Sequence, residues 1–487
     1  MSIVAMVAII IGAGVAATLV VALARAAGDR AAPPAPALSP ERLEEAAGVE
    51  AALAALIRRK TVSRFEPLEE EDREFRALVA DLAALFPRVH ATLEREEVGE
   101  RALLYTWKGT GQDLEPAILA AHYDVVPAED ADEWKHPPFS GDMAEGCVWG
   151  RGAQDIKLTM ASILDAAERL LAEGFRPART IYFAFGGDEE VGGLRGAAAI
   201  GALLGSRGVR ASFVLDEGGP VADGILPFAD RPIALVGVAE KGYMDVLIEA
   251  TGSGGHSSMP PRRTAAGDLA RAVAAVEDRR EEARLTRSVR GLLEEVSAYS
   301  GFAYRLLFRN LWLTAGLVKV AFSGSASTNA LIRTTAAPTM LKGSPKENVL
   351  ADKAVAVLNV RILPGDRSEA ALARLSRRAA RAGASARPAR EAAIVEPSPE
   401  SPTDHEGYRA IGAALGVAFP EAGRAPFLLS GGTDTKHYLG VAGAVYRMTP
   451  LMQTGEDLAG IHGRDERVAV DNLRRCAIFY KSLIASL

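Results

Sequence analysis

The stretch Thr180–Gly193, TIYFAFGGDEEVGG, joins an apolar segment to three consecutive acids. Its first half is rich in aromatic and β-branched residues, which is typical of a buried strand, and the first pair of glycines ends that strand. Three adjacent carboxylates repel one another, and in sequence the nearest base is Arg195. The acids therefore either spread into solvent or surround a cation. Ligands of open α/β sheets bind beyond the carboxyl ends of strands, which favours a cation here.

Other apolar segments of the N-terminal half also end in side chains that can bind a metal. The side chains at these segment ends are His122 and Asp124, Asp155, Glu189 and Glu190, and Asp216 with Glu217. Taken singly, each has a simpler explanation; Asp155, for example, precedes a helix predicted over Lys157–Glu173 and could be its N-cap. Their recurrence, with helices between the strands, predicts an α/β domain whose strand ends form one polar site.

Composition and charge exclude several classes of protein. The 487 residues carry a formal net charge of −6, and no long basic segment with interleaved aromatics occurs, so a nucleic-acid partner is not expected. Cys147 and Cys476 lie far apart and lack the spacing of a thiolate metal site. Any bound metal is therefore expected to be held by His, Asp and Glu. The length predicts a large core and more than one domain.

The first 25 residues differ from the rest of the chain. Ser2–Ala24 has no charged residue and, at about 1.5 Å per residue, can cross a bilayer of roughly 30 Å. A secretory signal usually has a positive amino end and a shorter apolar core. Residues 1–25 are therefore predicted to be a membrane anchor, with cleavage as the alternative, and residues 26–40 a Pro-rich tether. The rest of the chain is expected outside the cytoplasm, secreted if the segment is cleaved.

A change of pattern marks a second domain inside the first. From about residue 241 the order becomes strand, helix, strand, strand, helix, which predicts a compact α+β domain with an antiparallel sheet over 241–394. A charged and then amphipathic segment, 277–317, is predicted to be a helical insertion in it. The α/β pattern returns near residue 395. Residues 41–240 and 395–487 are therefore predicted to form one domain that the smaller one interrupts.

Six motifs resemble, in order, those of the M20 family of dizinc metallopeptidases. They are AAHYDVVPA at 120–128, WGRGAQDIK at 149–157, GGDEEVGG at 186–193, LDEGGP at 215–220, GGHSSMPP at 254–261 and GIHGRDE at 460–466. The subgroup of carboxypeptidase S and the secreted N-acyl-amino-acid hydrolases is most similar. The resemblance implies an α/β zinc-peptidase domain, with a mixed sheet flanked by helices, interrupted by a lid and dimerisation domain.

The resemblance implies a site for two zinc ions. The implied ligands are His122, Asp155 and Asp216 for one ion and Asp155, Glu190 and His462 for the other, so that Asp155 bridges both. Such N and O donors suit zinc, and ions in dinuclear sites lie about 3.5–4 Å apart, close enough for one bridging hydroxide. Glu189 matches the family's general base, and Asp124 matches the acid that orients the His122 imidazole.

The resemblance also implies residues that contact substrate. His256 matches a histidine that stabilises the tetrahedral oxyanion. In dimeric relatives this histidine reaches the active site of the neighbouring subunit. Whether His256 acts in its own site or in a partner's stays open. Asn348 and Arg361 match the pair that binds the substrate's free carboxylate. The planar guanidinium of arginine can bind a carboxylate through two parallel hydrogen bonds. Gly431 and Gly432 match a loop whose backbone N–H groups face the substrate.

Together these motifs imply a metallo-carboxypeptidase or amidohydrolase that cleaves an amide bond next to a free C-terminal carboxylate. Short peptides and N-acyl amino acids both remain possible substrates, because the chemistry is the same and only the acyl-side pocket differs. A homodimer through the lid domain is a further expectation. The rival from another class is a catalytically inactive binding protein of the same fold. It predicts loss of the base or of a metal ligand, whereas Glu189 and all five implied ligands are present.

Overall fold

The computed structural model describes residues 2–28, 30–66, 68–111 and 113–487. Its strands are β1 Glu94–Val98, β2 Ala102–Trp107, β3 Ala117–His122, β4 Met143–Ala144, β5 Cys147–Trp149, β6 Ile181–Gly186, β7 Ala211–Ala222, β8 Ile233–Glu240, β9 Gly242–Thr251, β10 Gly255–His256, β11 Thr335–Lys342, β12 Val349–Leu350, β13 Lys353–Ile362, β14 Ser385–Pro388, β15 Gly423–Leu429, β16 Ala442–Gln453 and β17 Arg467–Ala469. Its α-helices are α1 Ile3–Ala27, α2 Pro40–Glu44, α3 Val49–Ile57, α4 Glu69–Leu85, α5 Pro87–Thr92, α6 Lys157–Ala172, α7 Ala197–Ser206, α8 Ala265–Glu277, α9 Arg287–Ser297, α10 Phe302–Phe308, α11 Leu311–Phe322, α12 Ala326–Ile332, α13 Ser368–Arg381, α14 Glu406–Ala418, α15 Gly455–Gly460 and α16 Val470–Ala485.

The larger domain is built on an eight-stranded mixed sheet. The strand order is β1-β2-β6-β3-β7-β16-β8-β15, and the central strands β6, β3, β7 and β16 are parallel. Alternate residues of a strand point to opposite faces, so Leu119 packs under α6 and α16 while Ile118 packs under α7. Helices therefore cover both faces, and the expected α/β fold with a mixed sheet is confirmed.

The segment predicted to be a lid domain, which we call the lid, contains a four-stranded antiparallel sheet in the order β11-β13-β9-β14, with α8 and α13 on one face. Residues of β9 alternate between buried and partly exposed, so the other face of this sheet is open. The chain enters and leaves through two adjacent segments. Tyr243 N donates to Val395 O at 2.8 Å, and Ser398 N donates to Glu240 O at 3.1 Å. This paired crossing is the junction between the two domains.

The predicted insertion 277–317 is helical, but its helices continue to Ile332. Helix α9 packs across β8 and β15, where Leu293 and Val296 share a core with Leu428. The insertion therefore covers the edge of the larger sheet rather than the lid sheet. Strand β11 therefore begins only at Thr335, because residues up to Ile332 complete α12.

The apolar N-terminal helix is confirmed as α1, Ile3–Ala27, which is long and apolar enough to cross a membrane. Among its described side chains only Ala22 and Ala26 are buried, near its C-terminal end. Residue 1 of the predicted anchor lies outside the described residues. Further along the chain, α2 and α3 are separate helices, because Gly48 between them adopts a left-handed conformation with φ +104°.

Candidate metal centre

Two histidines face the two oxygens of one carboxylate. Asp155 Oδ1 lies 3.1 Å from His122 Nε2, and Asp155 Oδ2 lies 3.0 Å from His462 Nε2. Asp155 stands before α6, but the N-cap position belongs to Ile156 and has no side-chain hydrogen bond. The N-cap alternative for Asp155 is therefore wrong. A carboxylate with each oxygen directed at a different histidine has the arrangement that a ligand bridging two ions requires.

Asp124 connects His122 to the loop that carries the neighbouring acids. Its Oδ1 lies 3.4 Å from His122 Nδ1, which also lies 3.0 Å from the backbone oxygen of Asp124. The same carboxylate accepts the backbone N–H groups of Glu189 at 3.1 Å and Glu190 at 3.2 Å. These contacts fix the orientation of the imidazole and tie the end of β3 to the turn after β6. This is the position predicted for Asp124.

The adjacent acids Glu189 and Glu190 have different neighbours. They lie in a short 3-10 turn after β6. The potential ligand atoms of His122, Asp155 and Glu190 all lie within 4.8 Å of one another, and Glu190 Oε1 is 3.3 Å from His462 Nε2. Glu189 instead groups with His122 and Glu217. The turn thus directs the Glu190 carboxylate toward Asp155 and His462, and the Glu189 carboxylate toward Glu217.

The structure brings Glu217, rather than the predicted ligand Asp216, to His122. Glu217 Oε1 lies 3.6 Å from His122 Nε2, whereas Asp216 Oδ1 accepts the Glu217 N–H and Asp216 Oδ2 has no hydrogen-bond partner. The strand predicted to end at Leu215 continues to residue 222, with a register shift against β16 immediately after Asp216. Successive strand residues point to opposite sides, so this local path decides which acid faces His122.

Glu466 ties the loop of Asp155 to the loop of His462. Its Oε1 accepts three backbone N–H groups of residues 152–155 at 2.8–3.2 Å, and its Oε2 accepts from Arg151 Nη1 at 2.7 Å. Arg151 Nη2 donates to His462 O, and His462 itself has φ +59°, a left-handed conformation that is uncommon for histidine. Sequence reasoning gave Glu466 no role. The position of Glu466 at the end of the last motif, GIHGRDE, was the one sequence feature that could have indicated its role.

Carboxylates outnumber cationic groups in this centre. Burial, followed by the charge of Glu217, raises the pKa of Glu189, and burial raises the pKa of Glu217 to about 8. Hydrogen bonds to Asp155 and Glu190 raise the pKa of His462 to about 10. Several other buried oxygens have no hydrogen-bond partner: Asp188 Oδ1, Asp216 Oδ2 and both Oδ atoms of Asp434. Imidazole nitrogens and excess carboxylate oxygens form a donor set that fits divalent cations such as zinc.

On the lid, Arg361 and Asn348 do not meet within one chain. Arg361 lies near the domain junction, with its guanidinium 4.8 Å from the centre of the Tyr243 ring. Asn348 lies just before β12, where its backbone oxygen accepts the Ser257 N–H at 3.1 Å. Strand β13 runs between them, and its residues 353–361 span about 26 Å. Their expected pairing on one carboxylate is therefore not seen in this chain, because a long strand separates them.

His256 lies at the same end of the lid as Asn348. It is exposed on β10, next to β12, and its Nδ1 lies 2.8 Å from Ser258 Oγ. Among the contacts of the described residues, none joins it to His122 or Asp155. The structure thus separates a metal-binding group in the larger domain from two lid groups, one near the junction and one at the far end.

The loop of Gly431 and Gly432 follows β15 and is exposed at the domain junction, with Gly432 close to Glu240. It leads into the buried Asp434, whose carboxylate packs against Gly193 of the acidic loop. Gly193 has φ +71°, and a Cβ there would lie 2.0 Å from Asp434 Oδ1, so the contact requires glycine. The Gly-rich loop is thereby joined to the turn that carries Glu189.

Comparisons with known proteins identify the family of the chain. Residues 118–486 match the model of peptidase family M20/M25/M40. The chain is 36% identical over 429 residues to the probable carboxypeptidase S-like 2 of Dictyostelium discoideum, covering 87% of this chain and 82% of that protein. It is 36% identical over 408 residues to the N-fatty-acyl-amino acid synthase/hydrolase PM20D1.1 of Danio rerio, with coverages of 83% and 79%.

The fold is also that of solved M20 structures. The M20 family metallo-carboxypeptidase Sso-CP2 from Sulfolobus solfataricus superposes with a TM-score of 0.67, at 16% identity over 90% of this chain and 98% of that one. At this identity the superposition supports the two-domain fold alone.

Proposed function

The chain belongs to peptidase family M20/M25/M40, and we propose that it is a two-zinc hydrolase of amide bonds next to a free carboxylate. The observation that carries the proposal is the position of Asp155 between two histidines, with one oxygen 3.1 Å from His122 and the other 3.0 Å from His462. This donor set needs cations, since buried carboxylate oxygens around it lack hydrogen-bond partners. An inactive binding protein would not need to retain it.

The ions would be held by side chains from five separate segments of the chain. These are His122, Asp155, Glu190 and His462, with either Glu217 or Asp216 beside His122. Divalent ions bound there supply Lewis acidity toward an amide carbonyl and lower the pKa of water. Glu466 and Asp124 contribute by holding Asp155, His462 and His122 in place.

Glu189 is the proposed general base. Its neighbour Glu190 faces His462, which leaves the Glu189 carboxylate free to accept a proton from water and deliver it to the leaving nitrogen. Burial raises the pKa of Glu189, and this favours uptake of the proton. The position of Glu189 beside His122, within the metal-binding group, supports this assignment.

The substrate's free carboxylate is proposed to bind Arg361, whose guanidinium lies on the open face of the lid near the junction. Its orientation is supported by the Tyr243 ring and by a 3.3 Å hydrogen bond from its Nε to Asn359 Oδ1. His256 and Asn348, at the far end of the lid, are proposed to serve the site of a second subunit in a homodimer. Their distance from the chain's own metal-binding group supports that arrangement.

Two acyl groups fit this chemistry, that of a short peptide and that of an N-acyl amino acid. The relatives include proteins named for each activity. The N-terminal helix α1 is proposed to anchor the enzyme to a membrane, with the catalytic domain on the extracytoplasmic side. A membrane location would bring the enzyme close to substrates with long acyl chains, which favours the second class.

The test compares matched substrates. The full-length enzyme in detergent would be assayed on Gly-Leu, on a long-chain N-acyl-leucine and on Gly-Leu-amide, before and after chelation and restoration of zinc. We expect near two zinc equivalents per chain, no turnover after chelation, and recovery on adding zinc. The amide control lacks the free carboxylate and should be hydrolysed poorly. Equal turnover of the amide, or full activity without metal, contradicts the proposal.

A further inference from the structure

The outer face of helix α11 is apolar throughout. Its exposed large side chains, which we call the α11 face, are Trp312, Leu313, Leu317 and Val320, and each is between 51% and 74% exposed. The one charged residue of the helix, Lys319, is partly buried. A surface helix of a soluble protein carries polar residues on its outer side. An outer face of this composition marks contact with another apolar phase or partner.

Helix α10 extends the same apolar surface. It is connected to α11 by only two residues, and its first turn exposes Phe302 (48%) and Tyr304 (40%). On their inner sides both helices join the core that covers β8 and β15. The exposed aromatic and aliphatic side chains are therefore held on a packed support and are not part of a loose loop.

The membrane-length helix α1 ends beside the α11 face. Asn310 Nδ2 donates to Ala22 O at 3.0 Å, while Asn310 Oδ1 accepts from Trp312 Nε1 at 3.3 Å. Arg25 Nε also donates to Arg309 O at 3.0 Å. Before Ala22, residues 3–21 form a helical segment of about 28 Å, close to the thickness of the hydrocarbon layer. Ala22 therefore marks the depth at which α1 would leave the hydrocarbon.

We propose that the α11 face lies in the interfacial layer of the bilayer that α1 crosses. The link through Asn310 holds Trp312 at the level of Ala22, and tryptophan is enriched at that level because its ring is apolar and its N–H polar. Leu313, Leu317 and Val320 enter the boundary of the acyl chains, as the apolar side of an interfacial helix does.

This second contact would fix the orientation of the enzyme. A single helix followed by a tether leaves a domain free to rotate. In contrast, α9 packs on β8 and on the edge strand β15, and α10 to α12 belong to the same core. The larger sheet, and the Gly431–Gly432 loop that follows β15, would then keep a constant position relative to the membrane. The inference goes beyond the hydrolase activity and rests only on α1 acting as a membrane anchor.

Trp312 provides the measurement. Of the four tryptophans, Trp107, Trp134 and Trp149 are 4–7% exposed, whereas Trp312 is 58% exposed. The full-length chain would be placed in phosphatidylcholine vesicles with ordinary or dibrominated acyl chains, and W312F measured in parallel to subtract the buried tryptophans. We expect brominated lipid to quench Trp312 and the bilayer to shield it from acrylamide. Trp312 emission that is insensitive to brominated lipid overturns the proposal.

Two variants and vesicle flotation separate the α11 face from the anchor. L317Q/V320Q alters the face, and V417Q, at a 39% exposed position on α14, is the matched control. All should float with vesicles through α1, but only the double variant should lose lipid quenching of Trp312. Failure of the wild type to float contradicts the anchor, and with it the proposal. If Trp312 is shielded but not quenched by lipid, and L317Q/V320Q lowers the yield of cross-linked dimers, the face binds a second copy and the proposal is wrong.

Discussion

Around Asp155, side chains from separate loops already meet within one chain, whereas on the lid Arg361 and Asn348 lie at opposite ends of strand β13. Apart from the half-exposed His462, the first group is largely buried, and the carboxylates of Glu466 and Asp124 fix it by accepting backbone N–H groups of Asp155 and Glu190. The second is partly or fully exposed. Strand ends of a parallel sheet converge at one edge, while a long antiparallel strand keeps its two ends apart.

The difference indicates a division of labour between the domains. The metal-binding group needs only its own fold to assemble, so changes there should affect metal content and the chemical step. The lid residues need domain closure or a second subunit to reach substrate, so changes there should affect binding or depend on the partner. Each prediction below tests one side of this division.

The largest effect is expected for Glu189→Gln. Glutamine is nearly the same size but cannot accept a proton, so kcat should fall by about 10²- to 10⁴-fold, with KM nearly unchanged. Steady-state kinetics and metal analysis on the same sample provide the measurement. The matched control is Glu190→Gln, which should lose bound metal as well as rate, because Glu190 faces His462. If both variants retain or both lose metal, the two roles have been assigned wrongly.

His256 tests whether the far end of the lid serves a partner. His256→Ala should lower kcat by about 10²- to 10³-fold, as for the loss of an oxyanion donor. Mixing equal amounts of His256→Ala and Glu189→Gln subunits then distinguishes the two arrangements. If His256 acts on a second subunit, half of the dimers are mixed and each has one intact site, giving about a quarter of wild-type activity. If subunit exchange is verified and the mixture recovers no activity, His256 acts within its own chain.

The sequence predicted the strand ends because acids and histidines recur after apolar segments, and this signal does not depend on loop paths. It could not choose between Asp216 and Glu217, since one residue of register in β7 reverses the direction of every side chain. The spacing of thirteen between Asn348 and Arg361 likewise carries no information about the strand between them. Glu466 was missed because three of its partners are backbone N–H groups, which leave no trace in composition, and its side-chain partner Arg151 is 315 residues away.

Glu217→Gln and Asp216→Asn decide which acid completes the metal group. Loss of a residue that only hydrogen-bonds to a metal ligand typically weakens metal binding by about 10- to 100-fold. Loss of a direct ligand should therefore weaken metal binding by at least about 100-fold. Glu217 Oε1 lies 3.6 Å from His122 Nε2, so Glu217→Gln is expected to lose one of the two metal equivalents. Titration with a competing chelator measures this. Loss of metal in Asp216→Asn alone would favour the original sequence assignment.

The smallest effect is expected for Arg361→Lys. The variant keeps the positive charge but loses the planar fork that binds a carboxylate through two parallel hydrogen bonds, so KM should rise by about tenfold with kcat little changed. The metal group should be unaffected, because no contact of Arg361 among the described residues reaches it, and zinc content is therefore the internal control. Arg361→Met, which removes the charge as well, should raise KM further. Gly-Leu-amide, which has no carboxylate, should be insensitive to both changes. A fall in kcat or in bound zinc with KM constant would show that Arg361 acts on the metal centre, and the division between the two regions would fail.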